Sequence, residues 1–289
     1  MTVPLALAGV ACARSSGPPH RLVSQGASGS FDFAVSADGS PAHIRVWYEA
    51  PSDGLATAPI LFVMAGRQRN AREYRDQWGP LGREHGVLVV VPEFSTALFP
   101  GLTYNLGGVV DPSDAPIPEE DSAFAVIEPL FDAITADVGS STATYFLYGH
   151  SAGAQFVHRF VLFQHPNRVA KAIVANAGWY TVPDLEIAFP YGVDESPATT
   201  ESIIRALGTP LIVLLGEDDD DPKTDGLRTT AGAMRQGKHR LERGKYFFAS
   251  GRDAADRFGV PFRWRALIVP DAGHSNEAMA PAAAALLFD

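Results

Sequence analysis

Apolar residues along the chain fall into two signals, short runs bounded by turn residues and recurrences every three or four residues. Phe31–Ser36 and His43–Tyr48 alternate apolar with polar positions on either side of the turn cluster Ala37–Pro41, which predicts an antiparallel hairpin. Pro59–Met64 and Val87–Val91 are nearly continuous apolar runs, suited to strands buried on both faces. Thr144–Tyr148, Ala170–Ala175, Leu211–Leu215 and Arg263–Val269 predict further strands. Helical spacing falls between them. Asn70 reads as an N-cap with Glu73 in capping-box position, followed by Ala71, Tyr74, Trp78 and Leu81, with Gly86 at the stop and a kink expected at Gly79-Pro80. Phe124, Ile127, Phe131, Ile134 and Val138 mark a helix that Pro129 should bend. Phe156, Val157, Phe160 and Val161 mark another, Glu201–Leu207 a short one, and Asn276–Phe288 an Ala-rich terminal one.

Three stretches carry no element in this reading: Glu93–Glu120, Thr181–Ala198, and the basic, polar segment that runs to Gly259. Structureless loops of that length are uncommon in a compact domain unless they serve function, and Thr181–Ala198 reads as a lid or cap. Strands alternating with helices predict an α/β fold: a mostly parallel sheet, an antiparallel N-terminal hairpin, and helices on both faces. No internal repeat divides residues 31–289, which read as one domain.

Composition narrows the classes. With 46% hydrophobic and 19% charged residues, 289 residues can bury a substantial core. A formal net charge of −10 argues against nucleic acid or an anionic membrane as partner, and no run of 18 apolar residues predicts a transmembrane span. Cys12 is the sole cysteine, so no internal disulfide can form. It lies in Ala11-Cys12-Ala13 after a short apolar run, which reads as the end of an export signal or a degenerate lipoprotein box, although a basic leader is missing. Residues 1–30 are accordingly expected to be a signal remnant and linker, and the protein to be exported.

The candidate chemistry centres on Gly149-His150-Ser151-Ala152-Gly153, set between a strand and a helix. Such a G-x-S-x-G turn holds a serine hydroxyl exposed above a sheet. A serine is a poor nucleophile until a base takes its proton. Two later strand ends supply partners: Glu217 with Asp218–Asp221 after Leu211–Leu215, and His274 after Arg263–Val269. Imidazole titrates near neutrality, so His274 is the candidate base; a buried carboxylate would hold it in the right tautomer. His150 reads as a packing residue, and His20, His43, His85, His158, His165 and His239 as structural or solvated.

The order Ser, Asp, His along the chain, with this strand pattern, resembles the α/β-hydrolases over nearly everything after residue 30. Gly66-x-x-x-Asn70, the Tyr74 and Trp78 helix, and His85–Glu93 resemble, more narrowly, bacterial esterases of the polyhydroxybutyrate depolymerase and feruloyl esterase group. The resemblance implies Ser151 as nucleophile and His274 as base. Its Gly-x-x-Asp register after the strand selects Asp219 over Asp218 and Asp220. It implies an oxyanion hole from the amides of Ala152 and Arg67, though Ala65 stands where such proteins usually carry histidine. Trp179, just past a strand end, is a candidate substrate contact. Neither a cofactor nor a metal is implied, and the carboxylate run has no recognised calcium spacing. The expected activity is hydrolysis of carboxylic esters through an acyl-enzyme, on a small-molecule or polymeric ester: short-chain, polyester-like or polysaccharide-linked. The alternatives are a serine peptidase or amidase of the same fold and a catalytically silent binding protein.

Overall fold

The computed structural model describes residues 21–37, 39–111 and 113–289, so the expected signal segment and Cys12 lie outside the described residues. Strand β1 (Ser28–Ala37) pairs antiparallel with β2 (Ser40–Glu49). β1 thus begins three residues before the apolar alternation does, and the amides of Leu22 and Val23 donate to Asp137, so residues expected as linker are tied to the fold. Then come β3 (Ile60–Met64), α1 (Ala71–Glu84), β4 (Leu88–Pro92), a short α2 (Leu102–Leu106), α3 (Ile127–Val138), β5 (Tyr145–His150) and α4 (Ala152–Phe163). The rest comprises β6 (Val169–Ala175), α5 (Thr200–Gly208), β7 (Leu211–Gly216), α6 (Ala231–Gln236), α7 (Arg240–Phe258), β8 (Trp264–Val269) and α8 (Asn276–Phe288). One eight-stranded sheet runs β1-β2-β4-β3-β5-β6-β7-β8, antiparallel from β1 through β4 and parallel beyond.

Strand periodicity divides the core in two. Phe62 and Met64 face one side with Leu147, Val174 and Val213, beneath Phe131 of α3, Phe156 and Phe160 of α4, and Phe247 of α7. Leu61 and Val63 face the other with Tyr148, Ile173 and Leu214, against Tyr74 and Trp78 of α1 and Met279 and Ala283 of α8. Every residue of β3, β4 and β7 is buried, which is why these strands read as unbroken apolar runs.

Local expectations fail where side chains find other partners. Asn70 is the N-cap of α1, but its side chain makes no capping bond and instead donates to the Glu73 carboxylate, so no capping box forms. Thr199 and Ser202 at the start of α5 do form one. The stripe from Phe124 to Val138 is a 3₁₀ turn (Ala123–Val126) leading into α3. Pro129 falls in the first turn of α3, where no backbone N–H is needed.

The polar stretch before Gly259 is the largest departure, because it contains α6 and the 19-residue α7. The inward stripe of α7 is Arg240, Arg243, Gly244, Phe247, Gly251, Ala254 and Ala255, a true helical period written in glycine, alanine and arginine. A Cβ on Gly244 would lie 2.2 Å from Leu215, and one on Gly251 2.5 Å from Trp264, so α7 lies hard against β7 and β8.

Candidate active site

The serine is positioned by backbone geometry at the end of β5. Ser151 has φ 57 and ψ −115, a region that non-glycine residues rarely occupy. The flanking glycines are needed for space. A Cβ on Gly149 would lie 2.2 Å from the Gly153 carbonyl oxygen, and one on Gly153 1.9 Å from that of Met64. The first-turn amides of α4, Ala152 among them, have no intrahelical acceptor and lie at the positive end of the helix dipole.

His274 lies in the loop after β8, and its Nε2 is 3.0 Å from Ser151 Oγ. Its Nδ1 is 2.7 Å from Asp219 Oδ2. Of the five carboxylates from Glu217 to Asp221, only Asp219 is buried, at 3% exposure; the others face solvent. Its second oxygen accepts from Arg240 Nη1 of α7 at 3.1 Å. The structure therefore brings Ser151, His274 and Asp219 into one hydrogen-bonded line, with Arg240 behind the carboxylate.

The His274 loop must reach back to β5 across β6 and β7. Asn176 at the end of β6 spans that gap. Its Oδ1 accepts from the Gly216 amide at 2.8 Å, and its Nδ2 donates to the Gly273 carbonyl at 3.1 Å. The Asp218 amide adds a bond to Ala272 O.

His150 is buried beside the serine. Burial pushes its imidazole well below its ordinary pKa, with nearby His274 and Arg240 pushing the same way. It therefore stays neutral, and its ring lies 4.8 Å from that of His274. Tyr74 hydroxyl is 3.0 Å from His150 Nδ1.

Ser151 opens into a cavity of about 340 Å³ bordered by Gly66, Arg67, Tyr74, His150, Arg240 and His274. Its lining is largely polar. Arg67 follows Gly66 in the loop after β3, with its side chain exposed and its guanidinium reaching Gly226. A Cβ on Gly66 would lie 3.7 Å from Ser151 Cβ, so this loop passes directly over the serine.

Trp179 is placed differently from the expectation. It is 3% exposed and lies outside the lining of that cavity, with the guanidinium of Arg159 4.3 Å and that of Arg228 4.8 Å from its ring. The buried Arg159 donates to Thr181, Asn105 O and Gln155 O, so the indole is a wedge between two cations. No residue of Thr181–Ala198 borders the serine cavity either. That segment and Glu93–Glu120 meet around a second cavity of about 670 Å³, bordered by Val109, Ile117, Phe189, Pro190 and Arg228. Among the described residues no cluster of His, Cys, Asp and Glu has the arrangement to hold a metal, and no helix is long and apolar enough to cross a membrane.

Sequence reasoning passed over Arg240, Asn176 and Tyr74. The first lies in the stretch that carried no apolar stripe. The other two carried one signal each: a polar residue at a strand end, and an aromatic on the face of α1 turned to the sheet.

The strand order, the strained serine between β5 and α4, and the polar residues leaving the carboxyl ends of β7 and β8 define an α/β-hydrolase fold. No protein-family model matches the chain, and no curated protein does. Solved structures do. Poly(aspartic acid) hydrolase-1 from Sphingomonas sp. KT-1 is 44% identical over 92% of this chain and 100% of its own, with a TM-score of 0.87. LpqC, a poly(3-hydroxybutyrate) depolymerase from Bordetella parapertussis, is 32% identical over 91% of this chain and 90% of its own, with a TM-score of 0.84. An S-formylglutathione hydrolase from Agrobacterium tumefaciens shares the fold at 14% identity and a TM-score of 0.58, covering 92% of this chain and 95% of its own. The chain belongs to the α/β-hydrolase family, in the group of LpqC and poly(aspartic acid) hydrolase-1, and is a serine hydrolase related to polyester and polyamide hydrolases.

Proposed function

We propose that the protein hydrolyses carboxylic esters through an acyl-enzyme at Ser151. The observation that carries this reading is the line Ser151 Oγ, His274 Nε2, His274 Nδ1, Asp219 Oδ2, with contacts of 3.0 and 2.7 Å. As Ser151 Oγ bonds to the acyl carbon, its proton passes to His274 Nε2. The same proton then goes to the leaving alkoxide as the C–O bond breaks. Water gives a proton to His274, attacks the acyl carbon, and the Ser151–acyl bond breaks with return of the proton to Oγ. Asp219, itself held by Arg240, keeps Nδ1 protonated and favours the imidazolium between these steps. The Ala152 and Arg67 amides are the donors for the oxyanion, and losing one donor of this kind raises the barrier by about 3 kcal/mol.

A second reading is favoured by one observation. The relative at 44% identity is named for hydrolysing poly(aspartic acid), an amide-linked polymer, and the cavity at Ser151 is polar and includes Arg67 and Arg240. Amide cleavage uses the same proton path, with an amine leaving. Turnover of p-nitrophenyl esters of increasing acyl length, hydroxybutyrate oligomers, methyl ferulate and poly(aspartic acid) separates the two. Ester turnover favouring short-chain or hydroxybutyrate substrates is expected. Turnover of poly(aspartic acid) alone would replace the ester reading by the amide one. Esters preferred steeply above eight-carbon acyl chains would remove the short-chain and polyester preference.

A further inference from the structure

Ala65-Gly66-Arg67 lacks the histidine that such loops usually carry, so something else must fix the Arg67 amide over Ser151. Two tyrosines touch this loop. Tyr104, fully buried, donates from its hydroxyl to the Ala65 carbonyl at 2.7 Å. Tyr74 reaches from the first turn of α1, and a Cβ on Gly66 would lie 2.8 Å from its hydroxyl oxygen, so the phenol is packed against the Gly66 backbone. Burial pushes the Tyr74 phenol above its ordinary range, so the hydroxyl keeps its proton. The same hydroxyl meets His150 Nδ1 at 3.0 Å.

Gly66 precedes Arg67, and His150 stands two residues before Ala152. The Tyr74 hydroxyl therefore touches both peptide segments whose amides face the oxyanion in the proposed reaction. We propose that Tyr74 and His150 form a brace that sets the spacing between the Arg67 and Ala152 amides, with Tyr74 a positioning residue that acts through the backbone. The Tyr74 hydroxyl and His150 Nδ1 share one hydrogen bond, while the hydroxyl oxygen stays packed against the Gly66 backbone. Displacing one oxyanion donor is the kind of change that costs on the order of 10²-fold in kcat, and loosening its support costs a part of that.

The brace rests on the acyl-enzyme reading, and the test keeps the two apart. Tyr74→Phe, His150→Leu and His150→Asn are compared for hydrolysis of p-nitrophenyl acetate and for inhibition by an aryl boronic acid, whose tetrahedral adduct resembles the oxyanion. Tyr74→Phe should lower kcat by about thirtyfold and weaken the boronate by a similar factor, with KM within about twofold. His150→Leu should do the same. His150→Asn, with an amide oxygen near the place of Nδ1, should recover most of that loss. A folded Tyr74→Phe with unchanged kcat and boronate affinity overturns the brace. If Tyr74→Phe does not fold, equal rates for His150→Leu and His150→Asn overturn it. Full turnover by Ser151→Ala would overturn the acyl-enzyme reading instead.

Discussion

Two strand ends of the sheet hold their reactive side chains by opposite means. At the end of β5, the serine is set by main chain alone: a strained φ, two glycines with no room for a methyl group, and a helix that starts one residue later. At the end of β7, the aspartate is set by a side chain from far along the chain. Arg240 of α7 donates to one oxygen of Asp219 and leaves the other for His274. The first device is written in five residues, which need only the end of β3 beside them. The second exists only after α7 has docked on β7, so it depends on packing that no short window of sequence contains.

The hardest test of this contrast is at the serine. Ser151→Ala should leave the fold intact, with an unfolding free energy within about 1 kcal/mol of the parent, and reduce kcat by a factor on the order of 10⁶. Labelling by a fluorophosphonate should vanish with it, and undiminished labelling would remove Ser151 from the reaction. Gly153→Ala comes next. A methyl group 1.9 Å from the Met64 oxygen forces α4 off the end of β3, so a loss of about 3 kcal/mol in denaturant unfolding is expected. An unperturbed midpoint would mean that the turn is not held by space.

Arg240→Leu probes the other device. Asp219 would keep His274 but lose a buried charge-assisted bond, at a cost of about 2 kcal/mol in stability and about tenfold in kcat. A variant with parental kcat would show that His274 alone orients the carboxylate.

The last test of the comparison is in pH. His150 and His158, on the β5–α4 side, are both pushed well below their ordinary pKa, first by burial. Below about pH 6.5 the unfolded chain binds protons at these positions that the folded chain refuses. Stability is therefore full above that value and falls as pH drops, by up to about 1.4 kcal/mol per unit for each histidine. Melting curves from pH 7.5 to 5.5 should show the decline, and His158→Gln should make it shallower. A slope unchanged in that variant would assign the acid sensitivity elsewhere.

The same contrast governs what could be read without coordinates. β3, β4 and β7 were legible because burial on both faces demands unbroken apolar residues. The serine turn was legible because its steric demands are local. Asp219 stood in a run of four aspartates, and only the Gly-x-x-Asp register that the family resemblance implies marked it; the fold separates it by burying one carboxylate of the run. α7 was illegible because its close packing uses Gly244, Gly251, Ala254 and two buried arginines where a hydrophobic stripe would have used leucine. Trp179 misled for the complementary reason. A large aromatic at a strand end suggests a pocket wall, yet here it fills the gap between Arg159 and Arg228.

The loop carrying His274 has a mechanical consequence. Strands in a sheet are spaced about 4.8 Å apart, so a side chain leaving β8 must cover three strand widths, roughly 14 Å, to arrive at the end of β5. Such a bracket is only as stiff as its mid-span supports, which here are the side-chain amide of Asn176, gripping Gly216 on one side and Gly273 on the other, and the Asp218 amide bonded to Ala272 O. Lengthening the loop by one residue would leave every reactive group in the chain and still unseat the imidazole, whereas the same insertion at an unsupported surface turn would pass unnoticed.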